Sequence, residues 1–307
     1  MKVKALVLAA AVGAAMSLAG CMNFTATYAN ASNYTAGERD ITETITELDL
    51  NWSAGKVTVT TNSTNTISIR ESCDKSLDDD ERVHTWVDGK TLHVQFCESG
   101  KVFMFGSKKK ELEISIPKDM KLSSLSYDGS SADARFENLS AESVSLDSSS
   151  GDVKLIDCTA ETVDADTSSG NIELDIVGNA KSIKCDASSG NVTVKADGAD
   201  DIDVDTSSGD IEVDVKTPDK VVTDASSGDT KLTFGAAPSS IKHDSSSGDF
   251  TLYLPDKAEF KAEIDTSSGK FETDFGCEKD DDTYTCGSGS NVFSIDTSSG
   301  DVSIKKN

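Results

Sequence analysis

The chain has 307 residues, with 54 Asp and Glu against 29 Lys and Arg and a formal net charge of -25. A body this acidic is a poor partner for nucleic acid or an anionic lipid surface, so basic partners or divalent cations are the better fit. The one basic run, Lys108 to Lys110, is expected to be a solvated turn.

Residues 1–20 open with Lys2 and Lys4, continue through an apolar run from Ala5 to Leu18, and close on "LAGC". Positive start, short apolar core and small-residue exit make a signal peptide. The cysteine that ends it resembles the lipobox of bacterial lipoproteins, which implies cleavage before Cys21 and acylation of Cys21 with palmitate-type chains. That places the protein on the extracytoplasmic side of a bacterial membrane, in the cell envelope. Loss of the leader removes two lysines and no acid, leaving 27 basic against 54 acidic side chains.

Residues 21–38 are small and polar and are expected to be a flexible tether. From residue 39 to 121 the text alternates apolar and polar residues, as in "KVTVTT", "TLHVQF" and "LEISIP". That period of two marks short strands, and no later stretch holds a helical period, so the chain is predicted all-β.

From residue 122 to 307 one hexapeptide, D-x-S-S-G-[DN], recurs. Its glycines are Gly151, Gly170, Gly190, Gly209, Gly228, Gly248, Gly269 and Gly300, at gaps of 19, 20, 19, 19, 20, 21 and 31. "DGSSAD" at 128–133 fits the frame with Ala132 at the glycine position, and "NWSAGK" at 51–56 reads as a degenerate relative. Apolar residues keep phase in every copy, as at Val153, Ile172, Val192 and Ile211 two places after the glycine, or Val163, Ile183, Ile202 and Val221 seven places before it. A single unit cannot bury its apolar face, so the units must stack as a β-solenoid of two-strand rungs, each about 19–21 residues. The longest gap holds an insertion at 276–290. The final "DVSIKKN" is expected to blunt the open end of the stack with charge.

Seven cysteines less Cys21 leave six in an exported chain. Cys277 and Cys286 bracket an acidic loop and form the first expected disulfide. Cys73 with Cys97 is the next, and Cys158 with Cys185 remains by elimination.

The hexapeptide has two readings. In the scaffold reading the aspartate accepts local N–H bonds, which would hold its carboxyl below the ordinary range, and the glycine supplies positive φ. In the metal reading, stacked carboxylates at Asp166, Asp186, Asp205, Asp224 and Asp244 hold calcium, although no calcium nonapeptide or EF-hand loop occurs. The scaffold reading explains every position, so no cofactor is assigned. "HDSSSGD" at 243–249 has the ingredients of a nucleophilic triad, yet His243 occupies a column that elsewhere holds Tyr127, Leu146, Ala165, Cys185, Val204, Thr223, Ile264 and Ile295, so a partly buried core histidine is expected and no catalytic residue is assigned.

"LEISIP", the run of D-x-S-S-G-[DN] units and the closing "SGDVSI" together resemble the putative-adhesin β-strand-repeat family of bacterial envelope proteins, a domain of unknown function. "ELDLNWSAGKVTV" at 47–59 is similar to its opening strands. The resemblance implies a non-enzymatic surface module binding a protein or glycan. A regulatory partner in envelope stress is the alternative, and a polysaccharide-active β-helix enzyme is disfavoured because Trp52 and Trp86 both lie outside the repeats.

Overall fold

The computed structural model describes residues 23–25, 27–104 and 109–307. Cys21 and the expected signal peptide, residues 1–20, lie outside the described residues. The period-two text forms long strands that bend around a shared core, among them Leu122–Glu137, Val153–Thr167, Ile172–Ala187, Val192–Thr206 and Ile211–Ala225. Successive rungs pair in parallel, with Val153 opposite Ile172, Ile172 opposite Val192 and Val192 opposite Ile211. The second apolar column, Val163, Ile183, Ile202, Val221 and Ile241, keeps the same register. Both columns are buried, and the residues that alternate with them along each strand face solvent. This is the stacked solenoid that the period requires, because a one-residue slip would turn each apolar column outward.

The degenerate copy is a true rung: Glu47–Asn62 pairs with Leu122–Glu137, with Asn51 opposite Asp128 and Gly55 opposite Ala132. Chain order and stacking order diverge at both ends. At the first end, Glu47–Asn62 lies inside an outer rung made from Thr91–Gln95 and Lys110–Pro117. Antiparallel strands His84–Asp88 and Ile67–Cys73 then cover the edges of that outer rung.

At the other end the last unit does not close the stack. Asn291–Thr297 sits between Ser240–Ser245 and Phe260–Thr266, and Val302–Lys306 sits between Phe250–Leu254 and Phe271–Thr273. The expectation that "DVSIKKN" blunts the open end is therefore corrected. The outermost rung is 260–273, and its first edge is covered by the 277–286 hairpin, whose Thr283–Cys286 strand runs antiparallel to Phe260–Glu263. Antiparallel cover of this kind protects an edge that charge alone would leave open to another chain.

Lys110 corrects a second expectation. It is fully buried, with its ammonium 2.8 Å from Glu71 Oε1 and donating to the carbonyls of Glu81 at 2.6 Å and Phe96 at 2.5 Å. The rings of Trp52 and Phe96 lie 4.8 and 4.1 Å from it. Burial pulls its pKa down while Glu71 pulls it up. Three acceptors and two aromatic faces replace water around a charge that could not otherwise be buried.

Residues 27–38 are packed on the fold rather than free. Tyr28 donates its hydroxyl to Cys97 O at 3.0 Å, and Thr35–Ala36 pairs with His84–Thr85. Tyr34 lies 5.6 Å from Trp86, which stacks on His93 at 5.2 Å. The expected tether is shortened accordingly.

Candidate functional site: the serine-glycine corner and its aspartate ladder

Each hexapeptide turns one corner of a rung. Where the residue after the aspartate is Ser148 or a threonine, it supplies the turn's own bond: Gly170 N–H donates to Thr167 Oγ1 at 3.0 Å, Gly209 N–H to Thr206 Oγ1 at 3.0 Å and Gly300 N–H to Thr297 Oγ1 at 3.1 Å, whereas Ala187 and Ala225 leave their corners to the inter-rung bonds alone. The serine N–H groups are satisfied by the neighbouring rung, as with Ser168 N to Ser148 O at 3.2 Å and Ser169 N to Ser149 O at 3.1 Å. Parallel pairing thus continues around the corner, and no donor there needs the aspartate.

The hexapeptide glycines do not use positive φ, which corrects the reading of the turn. A Cβ on Gly209 would lie 1.9 Å from Gly190 O, and one on Gly190 would lie 1.7 Å from Gly170 O. Glycine is required here because one rung's backbone passes directly against the next.

The residue after the glycine builds a second ladder. Asn171 N donates to Asp152 Oδ1 at 2.9 Å, Asn191 N to Asn171 Oδ1 at 2.9 Å and Asp210 N to Asn191 Oδ1 at 2.9 Å. The series runs on through Asp229, Asp249 and Asp301 to Lys270 N. An Asp or Asn fits because each offers a side-chain oxygen to the rung above while its own N–H is held from below.

The hexapeptide's first aspartate is left facing outward without that service. Asp128, Asp147, Asp166, Asp186, Asp205, Asp224, Asp244, Asp296 and Asp265 stand in register in that order. Neighbours on adjacent strands are about 4.8 Å apart, which costs roughly 1 kcal/mol per pair in water. Partial burial, then the charges of their neighbours, raise the pKa of Asp128, Asp147, Asp166 and Asp205. The expected downward shift is therefore reversed at these four positions. Near the far end, Asp224, Asp244, Ser245, Ser246 and Asp296 line a shallow hollow.

Residues 45–239 and 220–305 each match the family described as Toastrack DUF4097. The chain belongs to the Toastrack DUF4097 family. Among solved structures, a Parabacteroides distasonis protein called a "putative adhesin" is 13% identical, with 89% of this chain and 97% of that one covered and a TM-score of 0.53. A Bacteroides fragilis "putative adhesin" is 15% identical, covering 88% and 96%, with a TM-score of 0.39. A second Parabacteroides distasonis structure, called a "putative lipid binding protein", is 14% identical, covering 89% and 97%, at 0.47. At such identities the likeness concerns the Toastrack fold alone. No curated protein matches the chain.

Within the Toastrack corner the triad ingredients diverge. His243 points inward, 1% exposed, with its ring 4.4 Å from Phe250 and Nδ1 2.9 Å from Thr223 Oγ1. Burial lowers its pKa to about 4, and Asp244, on the other side of the strand, acts in the opposite sense. Among the described residues, three metal-ligand atoms converge within 4.8 Å at Asp78, Asp80 and Glu81. There Lys101 already holds Asp80 at 2.5 Å and Glu81 is engaged by Asp78 N at 2.9 Å. The calcium candidates Asp166, Asp186, Asp205, Asp224 and Asp244 instead stand in file, one per Toastrack rung.

Cys277 and Cys286 are joined across paired positions of the hairpin, with Cα atoms 4.3 Å apart. The other four cysteines are free thiols, which corrects the remaining pairings. Cys158 sits beside Leu139 N at 3.3 Å, whereas Cys185 is in register with Ala165, seven residues further along that rung and on the order of 20 Å away along the strand. Cys73 donates weakly to Asp74 Oδ1 at 3.6 Å, and burial pushes the Cys97 thiol up to about 11. Both lie within the field of Lys110. Sequence reasoning missed the Lys110 pocket and the Tyr34, Trp86 and His93 cluster. The aromatic content of "TATYANASNYT" was the available signal for the second.

Proposed function

We propose that this chain is a lipid-anchored, non-enzymatic envelope protein that presents a rigid acidic face to a basic surface on a protein or glycan partner. The observation that carries the reading is the aspartate ladder. Its carboxylates are kept in register although the fold raises the pKa of four of them, so their charged forms cost stability in the free protein. A cationic partner surface relieves that cost on binding, as the Lys242 ammonium already does for Asp244 within the chain.

Replacing Asp166, Asp186 and Asp205 together with Asn tests this. The triple variant should melt above the parent, by a few tenths of a kcal/mol per site once solvent screening is allowed for. It should also lose salt-sensitive capture of partners cross-linked in native membranes. Capture unchanged by the three substitutions would sink the proposal.

Anchoring is tested separately. Two or three acyl chains on Cys21 hold a protein stably on a bilayer. Cys21→Ala should therefore move the protein from the membrane to the soluble fraction or leave the precursor uncleaved. Unchanged fractionation with Met1 intact by mass spectrometry would argue against the lipid.

A further inference from the structure

The first described residues give the anchor almost no slack. Asn23–Thr25 pairs antiparallel with Val102–Met104, in the insertion between Thr91–Gln95 and Lys110–Pro117, the two halves of the outer rung at the first end. Cys21 precedes Asn23 by two residues, a reach of at most about 7 Å. From there the chain is pinned onward: Tyr28 N–H donates to Ser99 Oγ at 3.1 Å and its ring lies 4.7 Å from Tyr34, which leads to Trp86 and His93. Val102, beside the anchor point, is 52% exposed, and Phe103 and Met104 continue its strand.

Charge is distributed to match. Residues 39–121 carry 12 basic and 15 acidic side chains, and residues 122–307 carry 15 and 38. Nearly all the net negative charge therefore belongs to the repeats, and the anchored end is close to neutral. An anionic membrane repels the first part and tolerates the second.

Resting on the lipid-anchor reading above, we infer that the Asn23–Thr25 and Val102–Met104 strand pair seats on the phospholipid headgroup layer. The solenoid stands on its N-terminal end, and its acidic repeats project away from the bilayer. Val102 supplies an exposed apolar side chain at the anchor point, and the adjoining Tyr and Trp side chains have the amphipathic chemistry of a membrane interface. The lipid sets proximity, and the strand pair sets orientation.

Two of the most exposed large apolar side chains, Val102 at 52% and Val292 at 55%, lie at opposite ends of the stack and serve as reporter sites. The full lipidated chain, as Val102→Trp or as Val292→Trp, is reconstituted into vesicles of phosphatidylcholine and phosphatidylglycerol containing dibrominated phosphatidylcholine. Read as the difference from the unsubstituted chain, so that native Trp52 and Trp86 cancel, the expected result is bromine quenching of the added tryptophan at 102 and none at 292. Equal quenching at both sites, or none at either while the protein floats with the vesicles, overturns the standing orientation and leaves the anchor intact. Failure to float, with Cys21→Ala behaving as the parent, overturns the anchor and this inference with it. Hydrogen exchange on the unsubstituted chain gives the same decision without a new side chain: amides of 23–25 and 102–104 should exchange more slowly on vesicles than in detergent, and equal rates count against seating.

Discussion

Gly209→Ala should destabilise the protein by about 3 kcal/mol or more, because the new methyl would stand 1.9 Å from Gly190 O and 2.5 Å from Gly190 C. Both obstacles are backbone, so no side chain can rotate away. The rungs must separate locally, and in a nearly one-dimensional stack the loss spreads to neighbours on both sides. Two other glycines isolate the cause. Gly178 has φ +88° with nothing within 4 Å of a Cβ, so its replacement by Ala carries only backbone strain, on the order of 1 kcal/mol. Gly276 has open space and no positive φ, so Gly276→Ala should be near neutral. Urea unfolding and hydrogen exchange across the three variants should give the order 209, 178, 276. A Gly209→Ala protein as stable as Gly276→Ala would mean that the rungs do not approach this closely.

His243→Leu should stabilise the protein in mild acid and flatten part of its pH profile. In the fold His243 titrates near 4 because it is buried, against an ordinary value of 6.5. Its folded pKa is thus depressed, so below pH 6.5 the unfolded chain takes up the proton first. Stability from the neutral ring is complete above about pH 6.5 and is lost progressively as pH falls towards 4, by about 3 kcal/mol across that window. Among the described residues the charge that acts on the ring is Asp244, and Thr223 Oγ1 holds Nδ1. Asp128, Asp147, Asp166 and Asp205 work in the opposite direction, since raised folded values make the fold gain stability as pH falls through them. The difference between parent and variant melting curves cancels the ladder and leaves the histidine. Leucine suits the site, because the same column holds Leu146, Val204 and Ile295, all buried. Parallel curves from pH 7 to pH 4 would show that the ring is solvated.

Periodicity made the architecture legible because both apolar columns hold phase through every repeat, and only stacking can bury them. The degenerate copy around Gly55 was legible for the same reason: its apolar positions Leu48, Leu50, Val57 and Val59 keep the repeat's spacing. The division of labour inside the corner was not. Asp205, Thr206 and Gly209 could each cap a turn on their own, and local chemistry cannot show that the rung below already supplies the partners. Gly209 illustrates the point, since its requirement comes from Gly190, 19 residues away. Lys110 was misread because its run of three lysines looks solvated, whereas its acceptors Glu71, Glu81 and Phe96 are 14 to 39 residues distant. The order of the last rungs was missed although one residue carries it: the Gly300 copy ends in Asp301, whose side-chain oxygen serves the next rung, whereas the Gly269 copy ends in Lys270, which has no oxygen to offer and can only stand last.

That order makes the final unit a late-arriving keystone. Asn291–Thr297 and Val302–Lys306 fill a slot whose two walls, 240–254 and 260–273, are synthesised earlier. Until Lys306 has emerged, Phe250 and Phe260 face an empty gap and four strand edges lie open. Completion of the far end thereby waits on residues 291–306. A chain interrupted before residue 291 would carry unpaired edges of the kind that chaperones and proteases recognise.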